Sequence, residues 1–355
     1  MPDRTLLVPG TQASSLADQN GTVVYNAVRV STGLQKDDLG GRPPSEWQTL
    51  LSVEHPPGSW EPTRTSLDPT TQLRAASVVR TPYDRLWSHV EPWPYDWRLD
   101  MRHNARLLLK HLADNKPAGG RWNLIGHSQG GLIIVLASQV TADLAEFSRL
   151  VARVVLVGSP LAGTMKATDA LLWGSEGLGK ANVAAALGMA RTWPALYQML
   201  PSWRAVLKAG GSQFPDEQQL IHPGGWPGKR GVGIQQDLLQ RARETQTLLH
   251  GPFSRFGSGV IALAFHGQKQ MTPVSVIWRG NSYPKDRTMK NEKGDTLVPS
   301  QKTLEWGGGP FANRVALLTG NPRRHAELCD DEDVVDLTLD FLDEPAPPPP
   351  PRSSA

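Results

Sequence analysis

The chain has 355 residues, of which 39% are hydrophobic and 20% charged, a composition that supports one large domain or a core domain carrying an insertion. Its formal charge of +3 is small and its basic residues form no run, which excludes nucleic acid as a partner. The single cysteine, Cys329, rules out an intramolecular disulfide, and no apolar stretch approaches the ~20 residues of a membrane-spanning helix.

Met1-Pro2-Asp3-Arg4 runs straight into Leu6-Leu7-Val8 without the pattern of a secretory signal, so a cytoplasmic location is expected. Residues 5–8 read as a first buried strand, ended sharply by Pro9-Gly10. The loop that follows is expected to turn the amide of Thr11 or Gln12 toward a substrate carbonyl. Residues 76–79 read as the next strand. In Pro94-Tyr95-Asp96-Trp97-Arg98, Asp96 and Arg98 are expected to hold a loop, with Trp97 a candidate for the substrate pocket. Residues 101–115 read as a helix and 122–125 as a strand. Gly126-His127-Ser128-Gln129-Gly130 comes next, and residues 131–140 read as a helix buried on most of its surface. A strand, a G-x-S-x-G turn and a helix in succession form a nucleophile elbow. The geometry presents Ser128 Oγ at the tip of the turn and the Gln129 amide, at the helix start, to a developing oxyanion.

Residues 154–157, 274–278 and 314–318 read as further strands and 333–342 as a last helix. Strands alternating with helices predict a mostly parallel sheet flanked by helices, and with the nucleophile elbow they lead to the expectation of an α/β-hydrolase fold. The core is expected over 1–164 and 261–343. Residues 165–260, rich in Trp and Met, are expected to form a mainly helical cap or lid. Trp193 and Met199 are its candidates for the pocket. The tail, 344–355, contains Pro347–Pro351 and is expected to be disordered, its partner unknown.

A serine nucleophile needs a base and a group that orients it, and in this fold the chain order is serine, acid, histidine. The best acid is Asp295, in Gly294-Asp295-Thr296-Leu297-Val298-Pro299, expected at a carboxyl end of the sheet after strand 274–278. The best base is His325, in the loop after strand 314–318. Asp286 is the rival acid, while His222, His250 and His266 precede the acid and so fall out of order. Asp330, Asp331 and Asp333 read as a solvated acidic patch at the last helix.

Leu7-Val8-Pro9-Gly10, the Tyr-Asp-Trp-Arg segment, the serine elbow, Trp193-Pro194-Ala195-Leu196-Tyr197-Gln198-Met199-Leu200-Pro201-Ser202 and the Gly-Asp-Thr-Leu-Val-Pro segment together resemble the lecithin:cholesterol acyltransferase-like family of α/β-hydrolases. The resemblance runs in order over roughly residues 5–342. It implies Ser128, Asp295 and His325 as a triad, the loop after Gly10 as the oxyanion site, and acyl chains of phospholipids and related lipids as substrates, without metal or cofactor. Two departures stand out. Thr296 occupies a position where the family motif has glycine, and Leu161-Ala162-Gly163-Thr164 replaces a histidine that many lipases place there.

The expected activity is serine-dependent hydrolysis or transfer of an acyl group from a lipid-like ester, with transient contact to a membrane surface. The alternatives are an esterase or thioesterase for small esters, and a binding protein of the same fold with an idle triad.

Overall fold

The computed structural model describes residues 3–25, 44–55, 59–61, 73–141, 144–174, 183–208, 210–226, 231–250, 256, 259–278, 289–305, 314–318, 323–345 and 348. Asp286 and, apart from Pro348, the proline run lie outside them. Among the described residues are twelve strands: β1 Arg4–Val8, β2 Ser14–Ala17, β3 Val23–Tyr25, β4 Arg74–Val78, β5 Glu91–Pro92, β6 Trp122–His127, β7 Val151–Val157, β8 Val206–Lys208, β9 Ile261–Gly267, β10 Gln270–Trp278, β11 Met289–Gly294 and β12 Arg314–Leu318. Six of them form one sheet in the order β12-β9-β7-β6-β1-β5, and every neighbouring pair is parallel.

The centre of this sheet is apolar because it is covered on both faces. All residues of β6 and β7 are buried. Helix Gln129–Gln139, which follows β6, is buried from Gln129 to Ser138, as expected of a helix that is apolar all round. It packs against helix Met101–Asp114. That neighbour is amphipathic, burying Met101, Ala105, Leu108 and Leu112, and its start is capped by the Asp100 side chain, which accepts from the Arg102 amide.

Two expected strands belong elsewhere. β4 pairs antiparallel with β2 in a three-stranded sheet, and β10 pairs antiparallel with β11 in another. In β10 the exposed Met271 precedes the buried Thr272; a strand with one solvated face belongs to a hairpin, not to a parallel core. The parallel strand in that part of the chain is β9, an apolar run at the expected start of the second core segment that the sequence reading did not assign. β5 is only two residues long and carries no apolar pattern of its own.

Between β7 and β9 lie helices Met165–Trp173, Val183–Ala190, Pro194–Gln198 and Gln236–Leu249, with the short β8 among them. Among the described residues, no helix is long and apolar enough to cross a membrane.

Candidate active site

Ser128 stands between β6 and its helix with φ 53° and ψ −125°, a left-handed conformation that non-glycine residues seldom adopt. Small neighbours make the turn possible. A Cβ on Gly126 would fall 2.6 Å from Gly131 Cα, and one on Gly130 would fall 2.0 Å from the Val8 carbonyl oxygen. The Ser128 amide donates to the Val157 carbonyl at 3.0 Å, tying the elbow to β7.

Asp295 follows β11, not a strand of the main sheet. The β10–β11 hairpin carries the chain back so that Asp295 lies at the carboxyl end of β9: a Cβ on Gly267, the last residue of β9, would sit 2.9 Å from Asp295 Cβ. His325 opens a short 3-10 helix, His325–Asp330, after β12. The structure brings these two together. His325 Nδ1 lies 2.8 Å from Asp295 Oδ2, and the His325 amide donates to the Asp295 carbonyl at 2.7 Å. The other carboxylate oxygen accepts from the amides of Leu297 at 2.9 Å and Val298 at 2.7 Å. Burial alone would raise the pKa of Asp295; the His325 charge, the His325 hydrogen bond and the two amides outweigh it and hold the carboxyl below its ordinary value. With Nδ1 occupied, His325 Nε2 is left buried and without a hydrogen-bond partner among the described residues.

Ser128 and His325 line one cavity of about 400 Å³. Thr11 and Gln12 border it as well. A turn closed by the Ala13 amide on the Gly10 carbonyl at 3.2 Å carries them, and Gln12 has φ 65°. Gln129 is not a wall residue. Its side chain ties the loop in place, its Oε1 accepting from the Thr11 hydroxyl at 2.8 Å and its Nε2 donating to the Trp97 carbonyl at 3.0 Å. The Tyr-Asp-Trp-Arg segment grips the same loop. Tyr95 donates its hydroxyl proton to the Pro9 carbonyl at 2.9 Å, and the Trp97 indole donates to the Ser14 carbonyl at 3.1 Å. Asp96 and Arg98 form a buried pair, with Nη2 2.6 Å from Oδ2, and Arg98 also donates to the Leu51 carbonyl at 3.1 Å.

Trp193 and Met199 lie in the cavity wall with Leu196, Ala167 and Ala170. Trp97 is not in the wall. It packs behind Trp193 with ring centroids 5.1 Å apart. His222 and His250 are also absent from the cavity. His266, on β9, is buried, and that burial lowers its pKa to about 4 despite the opposing pull of Asp295. Tyr83 and His127 are among several wall residues that no sequence motif singles out as lining the cavity. His127 is the variable position of the elbow motif, and nothing local to Tyr83 marks it.

Residues 84–227 match the family model described as lecithin:cholesterol acyltransferase, a stretch that contains Ser128 and ends before Asp295 and His325. Over that stretch the chain is similar to the lecithin:cholesterol acyltransferase family. Similar solved structures include two named as lipases. The Tle4–Tli4 complex aligns over 95% of this chain and 97% of that one, at 11% identity and a TM-score of 0.55. The mature Bacillus licheniformis lipase BlEst2 aligns over 96% and 94%, at 12% identity and a TM-score of 0.41. Aspergillus fumigatus lipase B aligns over 98% of this chain and 54% of its own, at 10% identity and a TM-score of 0.41. At such identities the likeness speaks to the fold alone. No curated protein sequence matches this α/β-hydrolase.

Proposed function

We propose that this α/β-hydrolase cleaves or transfers the acyl group of a lipid-like ester through an acyl-enzyme on Ser128. The observation that carries the reading is the unpartnered Nε2 of His325, buried in the wall of the cavity that Ser128 shares while Asp295 occupies Nδ1. A carboxylate on Nδ1 requires the proton there and leaves Nε2 as the lone-pair nitrogen, the tautomer a general base needs.

In this mechanism Ser128 Oγ attacks the ester carbonyl and its proton passes to His325 Nε2. Asp295 stabilises the imidazolium. The amides of Gln129 and of Thr11 or Gln12 receive the oxyanion, each donor contributing about 3 kcal/mol. None of the three amides donates to another described residue. The alcohol leaves with the proton held on His325, and water or an acceptor alcohol then releases the acyl group by the reverse sequence.

The walls favour an apolar acyl group. Trp193, Leu196, Met199, Ala167 and Ala170 come from the segment between β7 and β9, which supports residues 165–260 as a cap over the core at 1–164 and 261–343. The family resemblance points the same way, toward lipid esters. The test is hydrolysis of p-nitrophenyl esters from acetate to palmitate, run beside Ser128→Ala. Serine-dependent rates that rise with chain length are expected. Serine-dependent rates confined to the shortest esters would move the substrate to small esters.

A further inference from the structure

We propose that Tyr83 and His127 are positioning residues: they form one buried hydrogen-bond chain that locks the loop before the oxyanion amides to the backbone of His325. The inference rests on the serine-hydrolase reading and adds to it two residues outside the triad.

The direction of every bond follows from chemistry at the two ends. His127 Nε2 lies 3.2 Å from the His325 carbonyl oxygen, and a carbonyl oxygen can only accept. Nε2 therefore carries the proton, and in a neutral ring Nδ1 is bare. Tyr83 Oη lies 3.0 Å from Nδ1, so the phenol donates to it. The same phenol oxygen accepts from the Gly10 amide at 3.0 Å. The chain thus runs from the Gly10 N–H through the Tyr83 O–H to His127 Nδ1, and from His127 Nε2–H to the His325 carbonyl. Its two interior members are buried, Tyr83 fully and His127 to 5% exposure.

The placement explains what the chain holds. His325 is gripped on both sides of its Cα, by Asp295 through its amide and by His127 through its carbonyl. Its imidazole retains little freedom once Asp295 also holds Nδ1. The other end of the chain is the residue before Thr11. That loop rests directly on the His127 ring, since a Cβ on Gly10 would come 3.1 Å from Nδ1 and 3.2 Å from Ser128 Cβ. The base and the Thr11 and Gln12 amides sit on separate loops after β12 and β1, and this chain is a direct polar link between those loops.

His127 also has to stay neutral. Its ring centroid is 5.0 Å from that of His325, so a charge on it would oppose the imidazolium that forms there in the reaction. Burial, then the His325 charge, lowers the His127 pKa to about 3, which keeps the ring neutral over the range in which the enzyme would work.

The test measures kcat and KM on a p-nitrophenyl ester for Tyr83→Phe, His127→Phe, His127→Gln and the Phe/Phe double variant. Each rate is normalised to the serine titrated by a fluorophosphonate, which removes any misfolded fraction from the comparison. Tyr83→Phe keeps the ring and its packing and removes only the hydroxyl. The expected result is a fall in kcat per titrated serine of about ten- to a hundredfold, with KM nearly unchanged. The double variant is expected to be no slower than the slower single variant, because one chain is broken only once. His127→Gln, which restores an amide donor, is expected to recover part of the loss. Single variants with wild-type kcat after normalisation, or losses that multiply in the double variant, would overturn the proposal. A wild-type protein that neither titrates nor turns over would instead overturn the serine-hydrolase reading beneath it.

Discussion

Thr296 follows the candidate acid with φ 85°. A β-branched residue is strained in this region, where glycine is at ease. Replacing it removes a side chain that no described hydrogen bond uses, so Thr296→Gly is expected to raise stability by about 1 kcal/mol, read as a higher urea midpoint; a lower midpoint would show that the side chain packs usefully. Asp295→Asn is expected to leave the fold intact and to cut kcat by about 10³–10⁴-fold, because the amide stabilises the wrong histidine tautomer. An activity near wild type would displace Asp295 from its role. At this scale the sequence was informative wherever chain order and motif coincide. Ser128, Asp295 and His325 could be singled out as candidates because α/β-hydrolases order their serine, acid and histidine that way. Tyr83 could not. Its place depends on β4 and the loop after β1 converging on His127, which no local pattern records. Trp97 was misjudged as a pocket residue for the same reason: an aromatic residue near a motif does not reveal which side of the wall it occupies.

The Asp96–Arg98 pair shows how one element disciplines another. Arg98 is fully buried and Asp96 is 7% exposed, and the guanidinium also holds carbonyls at the end of helix Pro44–Leu51. Arg98→Met leaves the carboxylate buried without its partner, which is expected to cost about 3–5 kcal/mol in urea unfolding. A loss below about 1 kcal/mol, the range of an exposed pair, would contradict this. Gln129→Ala retains the backbone amide but frees Thr11 and Trp97; the expected readout is a lower kcat with labelling of Ser128 preserved. The elements themselves were legible to differing degrees. β1, β6, β7 and helix Gln129–Gln139 carry unbroken apolar runs that announce burial. β10 carries one as well, yet its partner is the polar β11, Met-Lys-Asn-Glu-Lys-Gly. Only the pairing reveals the hairpin that delivers Asp295 to β9.

Across the whole molecule, buried neutral histidines couple stability to pH. The His127 pKa is lowered to about 3 and that of His266 to about 4. The unfolded chain takes up these protons below the ordinary value of 6.5, while the native protein does not. Stability is therefore full above 6.5 and is lost as pH falls toward 4, by up to roughly 1.4 kcal/mol per pH unit for each histidine. Asp295, held below its ordinary value, adds a further loss only in more acid solution. Urea midpoints at pH 7, 6 and 5 should fall steadily, and His266→Asn should flatten the slope; a midpoint independent of pH would refute the neutral burial of these rings.

The activation of Ser128 by His325 is tested most directly by intact-mass measurement after exposure to a fluorophosphonate. One covalent adduct is expected on the wild-type protein, mapped to Ser128. None is expected on Ser128→Ala, and His325→Ala is expected to label more slowly by orders of magnitude. An adduct on another residue, or labelling of His325→Ala at the wild-type rate, would contradict that activation.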